Sequence, residues 1–286
     1  MSDEEYWSKV IDSESRFGSI GLRKVIQNRE LIYRFIYRDF VTLYKQTILG
    51  PIWYFLQPII MMLAYMLVFN NIAKIPTDGL PPSLFYLSGI ILWNYFSESF
   101  THTADTFNEN QHIFGKVFFP RLIIPIAKIS SGLLKFTIQF ILFLCFYFYF
   151  LSINVDIQYS HYIFIFPSIV VITGLTGFGL GLVFTSLTIR YRDLKFLLQF
   201  GIQILMFCTP IIYPMSVVNA QGTSIIGNIM FFNPLSHLIE SFKYLFLGQG
   251  NISFYGLLYS FSFAILICLV GILIFNRSEK TFIDSI

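Results

Sequence analysis

Long apolar runs, each close to the length of a bilayer crossing, alternate with short polar connections along most of this chain. A hydrocarbon core needs about 20 mostly apolar residues per helix. By that measure the sequence predicts spans over 52–69, 84–101, 129–151, 162–187, 196–212 and 255–275. Pro58 lies inside the first and kinks it, because its ring clashes with the preceding turn. Pro76, Asp78-Gly79 and Pro81-Pro82 make 70–82 a loop. The stretch 196–236 is uncharged but too long for one crossing, and Pro210, Pro214, Gly222, Gly227 and Pro234 break it. After the fifth span the pattern therefore gives irregular backbone, then a helical pair over 224–248 that dips back without crossing. Such backbone is tolerated at membrane depth only inside protein or along a cavity. The expected fold is an all-α integral membrane protein: six transmembrane helices, an N-terminal amphipathic interface helix, and re-entrant helices between spans five and six.

Residues 1–19 read as a polar leader without the basic cap and apolar core of a signal peptide. From 20 to 45 the period is helical and two-sided. Arg34, Arg38 and Lys45 fall within about 40° of one another on a helical wheel. Ile32, Ile36, Phe40 and Leu43 fall opposite. This is the pattern of a helix lying in the headgroup layer, with cations toward water and phosphate and the apolar face toward acyl chains. The chain thus divides into a leader with interface helix, 1–45, and a membrane domain, 46–286. In the fourth span Gly177 and Gly181 form a GxxxG pair, which lets two helix backbones approach. A phosphate-binding loop would need a lysine and polar flanks, and neither is there.

Charge sets the orientation. Fifteen of the nineteen Lys and Arg residues lie before the first span, in the loops after spans two and four, or in the tail. The positive-inside rule then puts both termini in the cytoplasm and requires an even number of crossings. Only 12% of residues are charged, against roughly 25% in soluble domains. A net charge of +3 gives no reason to expect nucleic acid. Cys145, Cys208 and Cys268 lie in apolar runs and suit packing rather than disulfides. HExxH, GxSxG and GxxxxGK[ST] are all absent, and the four histidines lack metal-ligand spacing. Neither an enzyme nor a metal site is expected. An ion-coupled transporter would need intramembrane carboxylates or inverted repeats. A membrane glycosyltransferase would need clustered acidic residues.

RDFVTLYKQTILGPIWYFLQP (38–58), NYF (94–96), KVFFPRLIIP (116–125), IRYRDLK (189–195), TPIIYP (209–214) and NPLSHLIESFKYLFLG (233–248) follow one another along nearly the whole chain. The ordered set resembles the ABC-2 type permeases that export O-antigen, capsule or teichoic-acid-like polymers. That resemblance implies a permease subunit in a bacterial cytoplasmic membrane, working as a homodimer with two copies of a separate ABC ATPase that holds the ATP and Mg. It implies no cofactor in this chain and a lipid-linked polysaccharide as cargo. A small-lipid or drug exporter of the same class is the alternative.

By the same resemblance, 106–120 is the coupling helix that docks on the ATPase; the alternative is an amphipathic connector resting on lipid. It carries Glu109, Asn110, His112 and Lys116, with exposed aromatics at Phe107, Phe114, Phe118 and Phe119. Arg190, Arg192 and Asp193 read either as a positive-inside anchor with Asp193 paired to an arginine, or as a contact to the ATPase or a lipid phosphate. Lys128 and Lys135 share one face of the third helix. They either snorkel to the interface or line the way in for an anionic head group. Glu98, a carboxylate inside a span, needs a partner, and Lys128 is the expected one. Aromatics make up 19% of the chain. A phenol in hydrocarbon needs a hydrogen-bond partner, and a sugar ring stacks on aromatic faces. Some of Tyr65, Tyr147 and Tyr149, with Tyr213 where the fifth span breaks, are therefore expected to face the gap between two copies.

Overall fold

The computed structural model describes residues 22–45, 50, 52–110, 113, 119–155, 157, 160–191, 193–220 and 225–283; among them every regular element is helical. A short turn of helix, α1 (Leu22–Gln27), leads into the 17-residue α2 (Arg29–Lys45). Then come α3 (Ile52–Tyr65), α4 (Pro82–Ala104), α5 (Thr106–Glu109), α6 (Ile123–Ser152), α7 (Phe166–Arg190), α8 (Leu194–Phe207), α9 (Met215–Ala220), α10 (Ile225–Phe232), α11 (Pro234–Leu247) and α12 (Phe254–Ile283).

Among the described residues, four helical stretches are long and apolar enough to cross a membrane: Ile52–Ile72, Ile123–Ser152, Ile163–Thr188 and Phe254–Ser278. The first is α3 continued over Met66–Ile72 by wider, π-helical turns, and it ends at Asn70-Asn71. α4 is also long enough at 23 residues but less apolar, and its position explains why. It runs through the middle of the bundle, packed by α3, α6, α7 and α11, and most of its side chains are buried. Protein rather than lipid surrounds it, so Ser83, Ser88, Ser99 and Thr103 are accommodated there. α6 starts six residues before the expected 129, because the apolar run continues back through Ile123 and Pro125 fits a first helical turn. The fifth stretch differs most. α8 stops at Phe207 after 14 residues, about 21 Å, and 208–214 is irregular.

The fourth-span glycines pack helices, as their spacing predicts. A Cβ on Gly177 would lie 2.7 Å from the Phe96 carbonyl oxygen, and one on Gly181 would lie 2.5 Å from Thr103 Cβ. On the other side of α7, a Cβ on Gly179 would lie 2.6 Å from Ile267 of α12. So α7 is wedged backbone-close between α4 and α12. Hydroxyls finish the seam: Thr185 donates to the Thr103 carbonyl (3.0 Å) and Thr188 to that of Ala104 (2.6 Å). Carbonyls in the last turn of a helix lack the usual intrahelical donor, and these hydroxyls supply one from α7.

One end of the bundle gathers α2, α5, the start of α6 and the late part of α12 around Val25, Phe35, Phe107, Phe119, Leu122–Ile124 and Phe275. The face of α2 expected to meet acyl chains is covered instead: Leu31, Ile32 and Ile36 pack with Phe35 on this cluster. The opposite end holds the 75–80 loop, the 208–214 break and α11. There α11 is nearly wholly buried, capped by the Asn233 side chain on the Leu235 amide (3.0 Å) and ended by Gly248 at φ 69°. Its Phe242 and Phe246 meet Phe140, Phe143 and Phe166 in an aromatic core.

Candidate functional site

α5 follows α4 after the single residue Asp105, so the connection turns straight back beneath the bundle. That turn drives Phe107 inward. It is 1% exposed and stacks on Phe275 with centroids 5.1 Å apart. Phe119 is buried too, against Phe35 at 5.8 Å. The expectation of exposed aromatics at these two positions is therefore corrected: both belong to the core. Asn110 is buried and donates to the Thr106 carbonyl at 3.0 Å. His112, Phe114, Lys116, Phe118 and Arg192 lie outside the described residues, as do the side chains of Lys45 and Arg190. Asp193 is exposed where α8 begins.

The partner of Glu98 is Lys135, not Lys128. Gly132 of α6 faces Tyr95 and Ser99 of α4. In that antiparallel register Lys135 reaches Glu98, and Lys128 stands level with the end of α4. There its Nζ lies 3.2 Å from Asp39 Oδ2 and 3.4 Å from Glu109 Oε2. Both carboxylates have further partners. Arg38 donates to Asp39 Oδ1 (2.8 and 3.1 Å) and sits 4.7 Å from the Phe35 ring centroid. Glu109 Oε1 is 3.0 Å from His102 Nδ1. Burial alone would raise the Glu109 carboxyl, but the His102 hydrogen bond and charge, together with Lys128, outweigh it and hold the group below its usual value. Arg38 is thus occupied, while Arg34 remains exposed on α2. Asp105, almost fully buried, binds Lys195 of α8 and accepts from Asn108 Nδ2 at 2.9 Å.

The four tyrosines are not brought together. Tyr65 is buried and its hydroxyl meets Met206 Sδ of α8 at 3.2 Å, while Tyr213 donates to the Phe207 carbonyl one residue further on. Those two flank the end of α8. Tyr147 lies in the aromatic core beside Phe143. Tyr149, two residues on, is 60% exposed on another face of α6. Lys135 adds a cation 5.5 Å from the Tyr54 ring centroid.

Sequence reasoning passed over one cluster. Lys243 of α11 is 2% exposed. Its ammonium binds the Pro210 carbonyl and lies 3.5 Å from the Phe85 ring centroid. Glu240, one turn earlier on α11, is buried as well. The signal was present: opposite charges at i, i+3 in a long stretch otherwise without charge. No group of metal-ligating side chains occurs among the described residues.

Comparison with known proteins agrees with this architecture. The ABC-2 type transporter family matches residues 30–247. Two Klebsiella pneumoniae proteins named O-antigen export system permease protein RfbA are 25% and 26% identical, over 86% of this chain and 91% of their own length. A Myxococcus xanthus protein of the same name is 24% identical over 79% of this chain and 83% of its own. The match runs from the interface helix to the end of α11, and the chain belongs to the ABC-2 type transporter family.

Proposed function

We propose that this chain is the membrane-spanning permease subunit of an ATP-driven exporter that moves a lipid-linked polysaccharide out of the bacterial cytoplasm. The observation that carries the reading is the likeness, along most of the chain, to three permeases named for O-antigen export. The sequence has no nucleotide-binding loop, so hydrolysis falls to a separate ABC ATPase with its own ATP and Mg. Two permease copies with two ATPase copies form the working unit, in the cytoplasmic membrane with both termini inside. α3, α4, α6, α7, α8 and α12 are the six crossings, and α9 to α11 dip in from the outer side. The basic residues of 1–45 and of the connections after α4 and α7 support that orientation.

In this arrangement the ATPase docks on the 106–120 connection and around Arg190, Arg192 and Asp193. Closure of the ATPase pair displaces that end of the bundle and opens a path between the two permeases. Tagged protein purified from its host should carry an ABC ATPase with it. Deleting the gene should leave undecorated lipid-linked polymer on the cytoplasmic face. Purification without any ATPase, or normal surface polymer in the deletion strain, would refute the proposal.

A further inference from the structure

An alternating chain of charges crosses the α2 end of the bundle, Arg38–Asp39–Lys128–Glu109–His102, with Lys128 as its middle link. Four elements contribute: α2, α6, α5 and α4. The Lys128 and Asp39 side chains are only 16% and 15% exposed, so solvent and salt screen the pair less than a surface one. Each carboxylate keeps a second cationic or imidazole partner, Arg38 for Asp39 and His102 for Glu109. Removing Lys128 therefore leaves each carboxylate one charged or imidazole partner, although the buried Asp39 Oδ2 then faces none. What it does break is the polar link between α2 and α5, which these contacts join through α6 beside the apolar cluster the three share. The α5 connection would stay attached from its other side, where Lys195 of α8 binds Asp105.

We infer that Lys128 is a positioning residue for transport, tying the interface helix and the α5 connection to α6 so that the three move together. This rests on the function proposed above: a push on the 106–120 connection reaches α2 and α6 through this ammonium group as well as through the shared apolar cluster. Asp39 and Glu109 are the two ends of that tie.

The test uses the complete permease–ATPase complex in its host, reading three quantities: ATPase captured by the tagged permease, ATP hydrolysis by the purified complex, and polysaccharide on intact cells. Lys128→Met should lower surface polymer about tenfold while captured ATPase and hydrolysis stay within about twofold of the unmodified complex. Lys128→Arg should restore most of the export. Asp39→Asn and Glu109→Gln should each lower export, and neither should add to the loss in Lys128→Met, because all three act on one link. Export within about twofold of normal in Lys128→Met would overturn the inference. So would joint loss of captured ATPase, which would make Lys128 part of the docking surface. Should Lys128→Met fail to accumulate, Asp39→Asn decides by the same readouts, since it leaves the lysine one carboxylate. Failure of the unmodified permease to capture an ATPase refutes the proposed function itself, and this inference with it.

Discussion

Lys243 Nζ binds the carbonyl oxygen of Pro210, 33 residues away in sequence, at the point where α8 has unwound. Irregular backbone in a membrane protein must find its hydrogen bonds inside the protein. Here side chains supply them: Lys243 for Pro210, Asn233 Nδ2 for Cys208 at 3.0 Å, and the Tyr213 hydroxyl for Phe207. One helix, α11, and the residue that caps it thus hold the end of another.

Lys243→Met should therefore be strongly destabilising. It strands the buried Pro210 carbonyl and removes the cation whose charge favours the Glu240 carboxylate, a loss of about 1–3 kcal/mol. The expected outcome is a lower melting temperature in detergent and reduced accumulation in the membrane. Glu240→Gln combined with Lys243→Met should cost less than the sum of the two, since neither charge is then left alone. Strict additivity would mean that the two groups do not interact.

The glycine seam makes a contrast within one protein. Gly181→Ala places a methyl group 2.5 Å from Thr103 Cβ and 2.8 Å from the Phe100 carbonyl oxygen. The helices must part, at a cost of about 1–3 kcal/mol. Gly201→Ala on α8 has nothing within 4 Å and should be neutral or slightly stabilising through helix propensity. Thermal unfolding of the two variants checks this. Equal melting temperatures would mean that α4 and α7 are not in backbone contact.

How far the sequence led depends on what kind of information each feature needs. The helices with strong apolar period were legible to within a few residues, and the Gly177/Gly181 packing followed from spacing alone. Pairings between helices were not. Lys128 and Lys135 lie seven residues apart on one face, and only the α4–α6 register, fixed by Gly132 against Tyr95, decides which one meets Glu98. Phe107 looked like an exposed docking aromatic because nothing local reveals that α5 folds against the end of α12, where Phe275 stacks on it. The unwinding at Phe207 was visible as Pro210 and Pro214, but the lysine that makes it possible lay in a different element.

Glu109 predicts a pH dependence with a definite sign. Its carboxyl is held below the usual 4.5 in the folded protein. The stabilisation is therefore present above that value and is lost as pH falls below it through the lowered folded value. Between pH 6 and pH 3.5 the melting temperature of the unmodified protein should fall more steeply than that of Glu109→Gln. Parallel curves would mean that Glu109 gains nothing from His102 and Lys128.

The proposed topology is open to labelling. On a background without native cysteines, probes at Lys74 and Asn154, both exposed, should react with membrane-impermeant reagent from outside. Probes at Glu30 and Asp193, also exposed, should react only after permeabilisation. Ile225 is 80% exposed at the start of α10 and should be reached, if at all, from outside. Cytoplasmic labelling at Ile225 would add a crossing and reverse the tail.

The final prediction concerns the path. Of the four tyrosines proposed for it, Tyr147 already fills the aromatic core beside Phe143, so Tyr147→Leu should act through packing and lower stability. Tyr65 and Tyr213 belong to the end of α8, where Tyr65 contacts Met206 and Tyr213 closes the Phe207 carbonyl. Tyr149 projects from α6 on an exposed face. A polymer sliding past these groups would stack sugar faces on the rings and bond hydroxyls to the phenols, weakly and at many points. Tyr→Phe keeps the ring and removes only the hydroxyl, while Tyr→Leu removes both. Tyr149→Leu should therefore slow export more than Tyr149→Phe, with insertion, melting temperature and ATPase binding unchanged, because that side chain makes little core contact. At Tyr213 the order of effects should differ. Phenylalanine already frees the Phe207 carbonyl, so Tyr213→Phe should lower stability as well as export. Normal export in a Tyr149→Leu, Tyr213→Leu double variant that still inserts would place the path elsewhere, and would leave Tyr149 facing lipid.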